Sequence, residues 1–170
     1  MTNHCIGFFI GMRQTVATKD KIMQHATVKI KKLNQNAILP KYGTPFSAGA
    51  DLYACEGKAI EIAPHESVFI HTGVAIELPE GTVGLVYARS GLACKRGIAP
   101  SNKVGVIDSD YRGEIIVSLH NHSDVAEIID DKERIAQLVV TPYIVADFKE
   151  TDTLSESVRG TGGFGSTGKI

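Results

Sequence analysis

The chain has 170 residues, 43% hydrophobic and 22% charged, which suits one globular domain large enough to bury a core. Eighteen Lys and Arg against nineteen Asp and Glu leave a formal net charge of -1, so no global basic field exists to hold a nucleic-acid polymer. Cys5, Cys55 and Cys94 are too few and too scattered for a disulfide framework or a zinc site, and free thiols imply a reducing, cytoplasmic compartment.

The apolar run at residues 6–12 is about half the length a membrane span needs, and no small-residue cleavage site follows it. Residues 1–25 are therefore expected to form a soluble, disordered extension, with no membrane as partner. Patterned sequence begins at Ala26. From there, short apolar or alternating runs are separated by Gly, Pro, Asn and Asp, the signature of strands and turns. Residues 27–31 alternate with period two, as a strand with one wet face does. Residues 68–70, 74–76, 83–87, 115–119 and 135–140 are apolar enough for buried strands, and Leu78-Pro79-Glu80-Gly81 and Asn121-His122-Ser123-Asp124 read as turns. Residues 90–96 are the exception: they have fair helix propensity, with Ser90 to cap the start and Gly97 to end it. The pattern predicts an all-β fold, a jelly-roll-like sandwich or barrel of short strands with one short helix.

Four clusters have side chains suited to chemistry. Residues 159–168 contain five glycines in ten, together with Arg159, Phe164, Ser166 and Thr167. Gly163 through Lys169 nearly spells a phosphate loop, but Ile170 stands where Ser or Thr is needed. Such an arm either closes over a phosphorylated base, the aromatic stacking while donors take phosphate, or is a plain disordered tail. Residues 105–113 hold Asp108 and Asp110 two apart, beside Tyr111 and Arg112. In extended backbone the two carboxylates point the same way. A carboxylate facing a pocket deprotonates a water or binds hydrated Mg²⁺, although Asp-Ser-Asp also reads as a simple turn. Arg89, Ser90 and Gly91 at the start of the short helix offer donors to an anion, or are merely a cap and a surface arginine. Asp51 follows a Gly-containing turn at the start of a strand. His120 and His122 share a strand face without a third ligand and read as structural.

Taken together and in this order, these clusters resemble the five motifs of the trimeric dUTPase family, over residues 26–168. The first motif is residues 48–54, the second 89–93 and the third 105–113. The fourth is residues 133–138, and the fifth is the arm from Arg159 to Gly168. The resemblance implies a β jelly-roll domain over 26–153 and a flexible glycine-rich arm over 154–170. It also implies a homotrimer whose active sites are shared between subunits, each arm reaching a neighbour's site. The implied reaction is hydrolysis of dUTP to dUMP and pyrophosphate, which limits uracil incorporation into DNA and supplies dUMP for thymidylate synthesis.

Carried over motif by motif, Asp108 resembles the base that positions the water attacking the α-phosphorus, and Tyr111 packs under the deoxyribose. Asn102 resembles a uracil-contacting asparagine. Arg89, Ser90, Gly91 and Gln137 take the role of triphosphate ligands, with Asp51 and Asp110 supporting. Phe164 stacks on uracil while Arg159, Gly165, Ser166 and Thr167 close on the nucleotide. Mg²⁺ is implied as cofactor, bound through the triphosphate and water with no direct protein ligand. Two positions depart from the usual pattern: Lys132 stands where a glycine commonly precedes the acid-Arg pair, and Ala88 replaces a frequent proline. A dCTP deaminase-like enzyme of the same fold and a non-catalytic deoxyuridine nucleotide sensor are the rival readings.

Overall fold

The computed structural model describes residues 25–163. The extension expected over residues 1–25 lies outside them except for its last residue, as do Phe164, Gly165, Ser166 and Thr167. Eleven strands and one helix follow in order among the described residues: β1 Lys29–Lys32, β2 Lys41–Tyr42, β3 Ala50–Tyr53, β4 Ile60–Ile62, β5 Ser67–Glu77, β6 Thr82–Ala88, α1 Ser90–Arg96, β7 Ile98–Pro100, β8 Gly105–Ile107, β9 Glu114–Asn121, β10 Glu127–Ile129 and β11 Arg134–Pro142. They form a four-stranded sheet in the order β1-β5-β9-β7, a five-stranded sheet in the order β2-β3-β11-β6-β8, and the pair β10-β4. The strand pairings are antiparallel and the sheets stay open.

One core joins the two large sheets, because alternate residues of each strand turn inward. Ile70, Val74, Ile76, Val117 and Leu119 come from one sheet, and Leu52, Val86, Ile107, Ile135 and Leu138 from the other. Leu92 of α1 plugs the same core. No helix among the described residues is long and apolar enough to cross a membrane.

Local chemistry accounts for the turns. Thr82 bonds back to the Pro79 carbonyl through both its amide (3.2 Å) and its hydroxyl (2.6 Å), and Gly81 supplies φ +75°. Asn121, fully buried, donates to the carbonyls of Ile62 and Val125 and accepts from the amide and hydroxyl of Ser123.

Three expectations need correction. Residues 68–70 and 74–76 are not separate strands: both belong to β5, which continues through an irregularity where Gly73 has φ +68°. Phe69 within it is 70% exposed, because the alternation of the strand turns its side chain away from the core. Ser90 is the first helical residue rather than the cap; Arg89 occupies the cap position with extended backbone and no capping hydrogen bond from its side chain. The helix does end at Gly97, in left-handed conformation, with its amide bonded to the Leu92 carbonyl.

The backbone at Lys132 shows why glycine is the usual occupant of this position. Lys132 has φ +65° in the turn before β11, where Glu133 bonds back to Asp130 at 3.1 Å and Lys132 itself donates to the Ala54 carbonyl at 3.0 Å. A left-handed residue with a Cβ costs about 1–2 kcal/mol. Glycine removes that cost, but gives part of it back through the greater freedom of the unfolded chain. Lys132→Gly is therefore expected to stabilise the protein by about 0.5–1 kcal/mol, read from the denaturant midpoint at unchanged slope.

Candidate active site

Two groups of side chains stand out on the five-stranded sheet, one along its edge strand β8 and the other across β3, β11 and β6. The first surrounds a cleft of about 240 Å³ beside β8, lined by Val86, Asn102, Gly105, Val106, Asp108 and Tyr111 among others. Gly105 opens the strand here: a Cβ on it would come within 3.2 Å of Val86 Cβ and 3.5 Å of the Asn102 amide nitrogen. Asn102 and Gly105 thus form one end of the cleft.

At the other end, β8 stops after Ile107 and the chain turns, the Tyr111 amide donating to the Asp108 carbonyl at 3.1 Å. Asp108 and Asp110 therefore do not lie on one extended strand face as the sequence spacing suggested; the turn separates them, since Ser109-Asp110 occupies its corner. Arg112 braces the turn, its guanidinium donating to the carbonyls of Ser109 (2.7 Å) and Tyr111 (2.9 Å). The Tyr111 phenol folds back over Gly113, where any Cβ would run into the ring, and its hydroxyl donates to the Glu114 carbonyl at 3.0 Å. The ring is thereby held in one position. Asp108 is exposed at the lip of the cleft, and its carboxylate accepts no hydrogen bond from the described residues.

The second group gathers around Asp51, which is 4% exposed. Register brings it there: Asp51 of β3 pairs with Gln137 of β11, and Gln137 pairs on its other side with Tyr87 of β6. One carboxylate oxygen accepts from Arg89 Nε at 2.9 Å and Gln137 Nε2 at 3.4 Å, and the other from Arg134 Nη1 at 3.2 Å. Arg89 also donates to the Arg134 carbonyl at 3.2 Å. Two guanidinium groups against one carboxylate leave the cluster net positive, a suitable host for a polyanion. Ser90 and Gly91 lie exposed beside it, with open space around Gly91. Gly49 clears room for Gln137, since a Cβ there would approach Gln137 Cβ to 3.1 Å.

Arg134 is the residue that sequence reasoning missed at this site. It lies inside the fourth motif, yet only the β3–β11 register reveals that it shares Asp51 with Arg89. Arg159, by contrast, makes only a local contact in the described residues, donating to the Gly162 carbonyl at 2.8 Å. His120 is committed to Ser67 at 2.9 Å and packs edge-on against His122 with centroids 4.4 Å apart. Burial, then the positive charge of His120, Lys103 and His65, holds His122 below the usual histidine pKa.

A nucleoside-sized cleft with a free carboxylate at its lip, on a β-sandwich that also has a guanidinium cluster, is the layout of an all-β nucleotide hydrolase. The family model for dUTPase matches residues 35–168. The deoxyuridine 5'-triphosphate nucleotidohydrolase of Desulfitobacterium hafniense (strain DSM 10664 / DCB-2) is 52% identical over 131 residues, covering 76% of this chain and 87% of the relative. The solved dUTPase of Staphylococcus bacteriophage 80alpha with dUpNHpp superposes with a TM-score of 0.77 at 30% identity, over 84% of this chain and 98% of that one. A point mutant of the dUTPase from phage phi11 of S. aureus, which coordinates a structural Mg(II) ion, shares the fold with a TM-score of 0.69 at 24% identity, over 76% of this chain and 99% of that one. The chain belongs to the dUTPase family, enzymes that hydrolyse dUTP to dUMP and pyrophosphate. Its jelly-roll architecture is that of the family.

Proposed function

We infer that this chain hydrolyses dUTP to dUMP and pyrophosphate at sites assembled from more than one subunit of a homotrimer, with Mg²⁺ bound to the substrate's phosphates. The observation that carries the reading is one cleft lined by Asn102, Asp108 and Tyr111, with the Tyr111 ring held by its hydroxyl on the Glu114 carbonyl. In this reading Asn102 pairs with the uracil edge. Tyr111 packs under the deoxyribose and leaves no room for a 2'-hydroxyl. Asp108 accepts a proton from the water that attacks the α-phosphorus, and pyrophosphate departs as the bridging P–O bond breaks. Arg89, Ser90, Gly91 and Gln137 take the leaving phosphates, with Asp51 holding Arg89 in place, and Asp110 supports the turn that bears Asp108. Arg159, Phe164, Gly165, Ser166 and Thr167 close over the bound nucleotide and exclude bulk water.

The register supports a shared site. Ile107 pairs with Gly84, and Arg89 lies five residues further along, on the order of 15–20 Å from Asp108 at a strand rise of about 3.3 Å per residue. A nucleotide with its base at Asn102 and its sugar over Tyr111 points its phosphates away from the Arg89 of its own chain. Arg89 and Gln137 must then come from a neighbour. The exposed Ile144 (93%), Val145 (77%) and Phe148 (96%) beyond β11 also favour a partner, since a lone chain leaves that apolar strip in water.

In this reading triphosphate oxygens and water would hold Mg²⁺, which prefers oxygen ligands and gives up its waters reluctantly. Bound there, Mg²⁺ neutralises charge developing on the phosphates. The free thiols of Cys55 and Cys94 agree with a cytoplasmic setting. Pyrophosphate release from dUTP, dTTP, dCTP and UTP, with Mg²⁺ and with chelator, tests the function. Selective, metal-dependent release from dUTP is expected. Tight dUTP binding without release would move the assignment to a nucleotide sensor.

A further inference from the structure

Glu114 and His71 stand outside all five motif roles, yet they meet directly behind Tyr111. β5 and β9 pair regularly from Ser67↔His120 to His71↔Ile116, and then again only at Ala75↔Glu114. Between those pairs, Thr72, Gly73 and Val74 of β5 face Ile115 alone, a bulge with two extra residues. Glu114 is thus the first residue of β9, at the end of its pairing with β5, where a ladder normally frays.

Its side chain prevents that. One carboxylate oxygen of Glu114 accepts the Gly73 amide at 2.7 Å and the other meets His71 Nδ1 at 2.8 Å. Gly73 has to be glycine: its φ is +68°, and a Cβ would come within 2.8 Å of Ala37. The Thr72 hydroxyl closes the bulge on the Ile115 carbonyl at 2.6 Å. The hydrogen bond that its ring donates to Glu114, with the charges of Glu114 and Glu56, holds His71 above the usual histidine pKa despite partial desolvation. Glu56 also accepts the His71 amide at 2.7 Å, so both carboxylates facing this histidine are bonded to it. The backbone carbonyl of the same Glu114 receives the Tyr111 hydroxyl, and Glu114 lines the cleft. One residue therefore couples the β5 bulge to the ring beneath the sugar.

We propose that Glu114, clamped by His71 and the Gly73 amide, is a positioning residue that fixes Tyr111 at the height where deoxyribose fits and ribose does not. The proposal rests on the sugar-facing role of Tyr111 given above. Without the clamp the end of β9 gains freedom, the Tyr111 hydroxyl loses its fixed acceptor, and the ring can settle lower. Ribonucleotides then gain relative to deoxyribonucleotides, while Asp108 keeps its chemistry.

The test compares kcat and KM for dUTP and UTP in wild type, E114A, E114D and E114Q, with melting curves as a check on folding. The dUTP:UTP ratio of kcat/KM is expected to fall about tenfold in E114A, mainly through KM, as the loss of one or two good hydrogen bonds implies. E114D keeps the charge but is too short for both partners, so a smaller fall is expected. E114Q retains an acceptor for Gly73 and a donor for the neutral His71 ring, and should restore the ratio. An unchanged ratio in folded E114A and E114D, or an equal loss of activity on both substrates, overturns the proposal. Calorimetric binding of dUMP and UMP to the same proteins needs no turnover. A wild type that releases no pyrophosphate from dUTP therefore fails the functional reading alone, while the dUMP:UMP affinity ratio still decides the role of Glu114.

Discussion

Asp108→Asn is expected to bind dUTP about as tightly as the wild type and to release pyrophosphate about 10³-fold more slowly, the usual contribution of a positioned general base. The reasoning is geometric. Asp108 sits just beyond the end of β8 at the lip of the cleft, and its carboxylate makes no hydrogen bond to the described residues, so its acceptor capacity is free for a water. The turn that presents it is held by backbone and by Arg112, none of which depends on the carboxylate. Asparagine should therefore fold identically while losing the ability to take a proton. Single-turnover release of pyrophosphate beside equilibrium binding of a non-hydrolysable dUTP analogue separates the two effects. Unchanged turnover would assign the base elsewhere; lost binding would make Asp108 a ligand rather than a base.

Asp51→Ala should damage stability and activity together. Asp51 is buried and holds Arg89 and Arg134 at once, so its removal leaves two guanidinium groups facing each other with no anion between them. Breaking a buried ion pair costs about 3–5 kcal/mol. Because the Arg134 side chain is 51% exposed and water replaces part of what it loses, about 2–3 kcal/mol is expected here. Arg89, freed from its anchor, should also raise KM for dUTP. Added pyrophosphate or phosphate should recover part of the stability by entering between the arginines, an effect read from the melting temperature.

The two variants together test the shared site. Asp108 and Arg89 lie toward opposite ends of the β6–β8 pair, so coexpressed D108N and D51A chains can assemble mixed trimers in which one site takes its wild-type Asp108 and its wild-type Asp51 from different subunits. Activity of roughly a quarter of wild type is expected from random mixing, one intact site in each mixed trimer. No recovery would place the whole site in a single chain.

The elements that could be located before folding are those governed by neighbours a few residues away. Leu78-Pro79-Glu80-Gly81, the helix over residues 90–96 and its end at Gly97 all rest on turn and capping chemistry that a short peptide already contains. Lys132 stood out only as a departure from the family's motif pattern, and its positive φ in the folded chain gives the physical reason. The five motifs in order placed the chain in its family, and the reaction followed from the family rather than from any one cluster.

Other features depended on pairing across the sheet. The partners of Asp51 lie 38, 83 and 86 residues away, and no local pattern identifies Arg134 as one of them. Residues 68–70 and 74–76 looked like two strands because Gly73 breaks the alternation. Glu114, 41 residues on, closes that break into a bulge. Asp108 and Asp110 looked like a matched pair until the turn after Ile107 separated them. The β class and the turns were legible residue by residue, because side-chain alternation and turn preference act over a few positions. Which distant charges share a carboxylate, and on which strands of the sheet each half of the site falls, emerged with the folded chain, because strand register is set by the packing of the whole core.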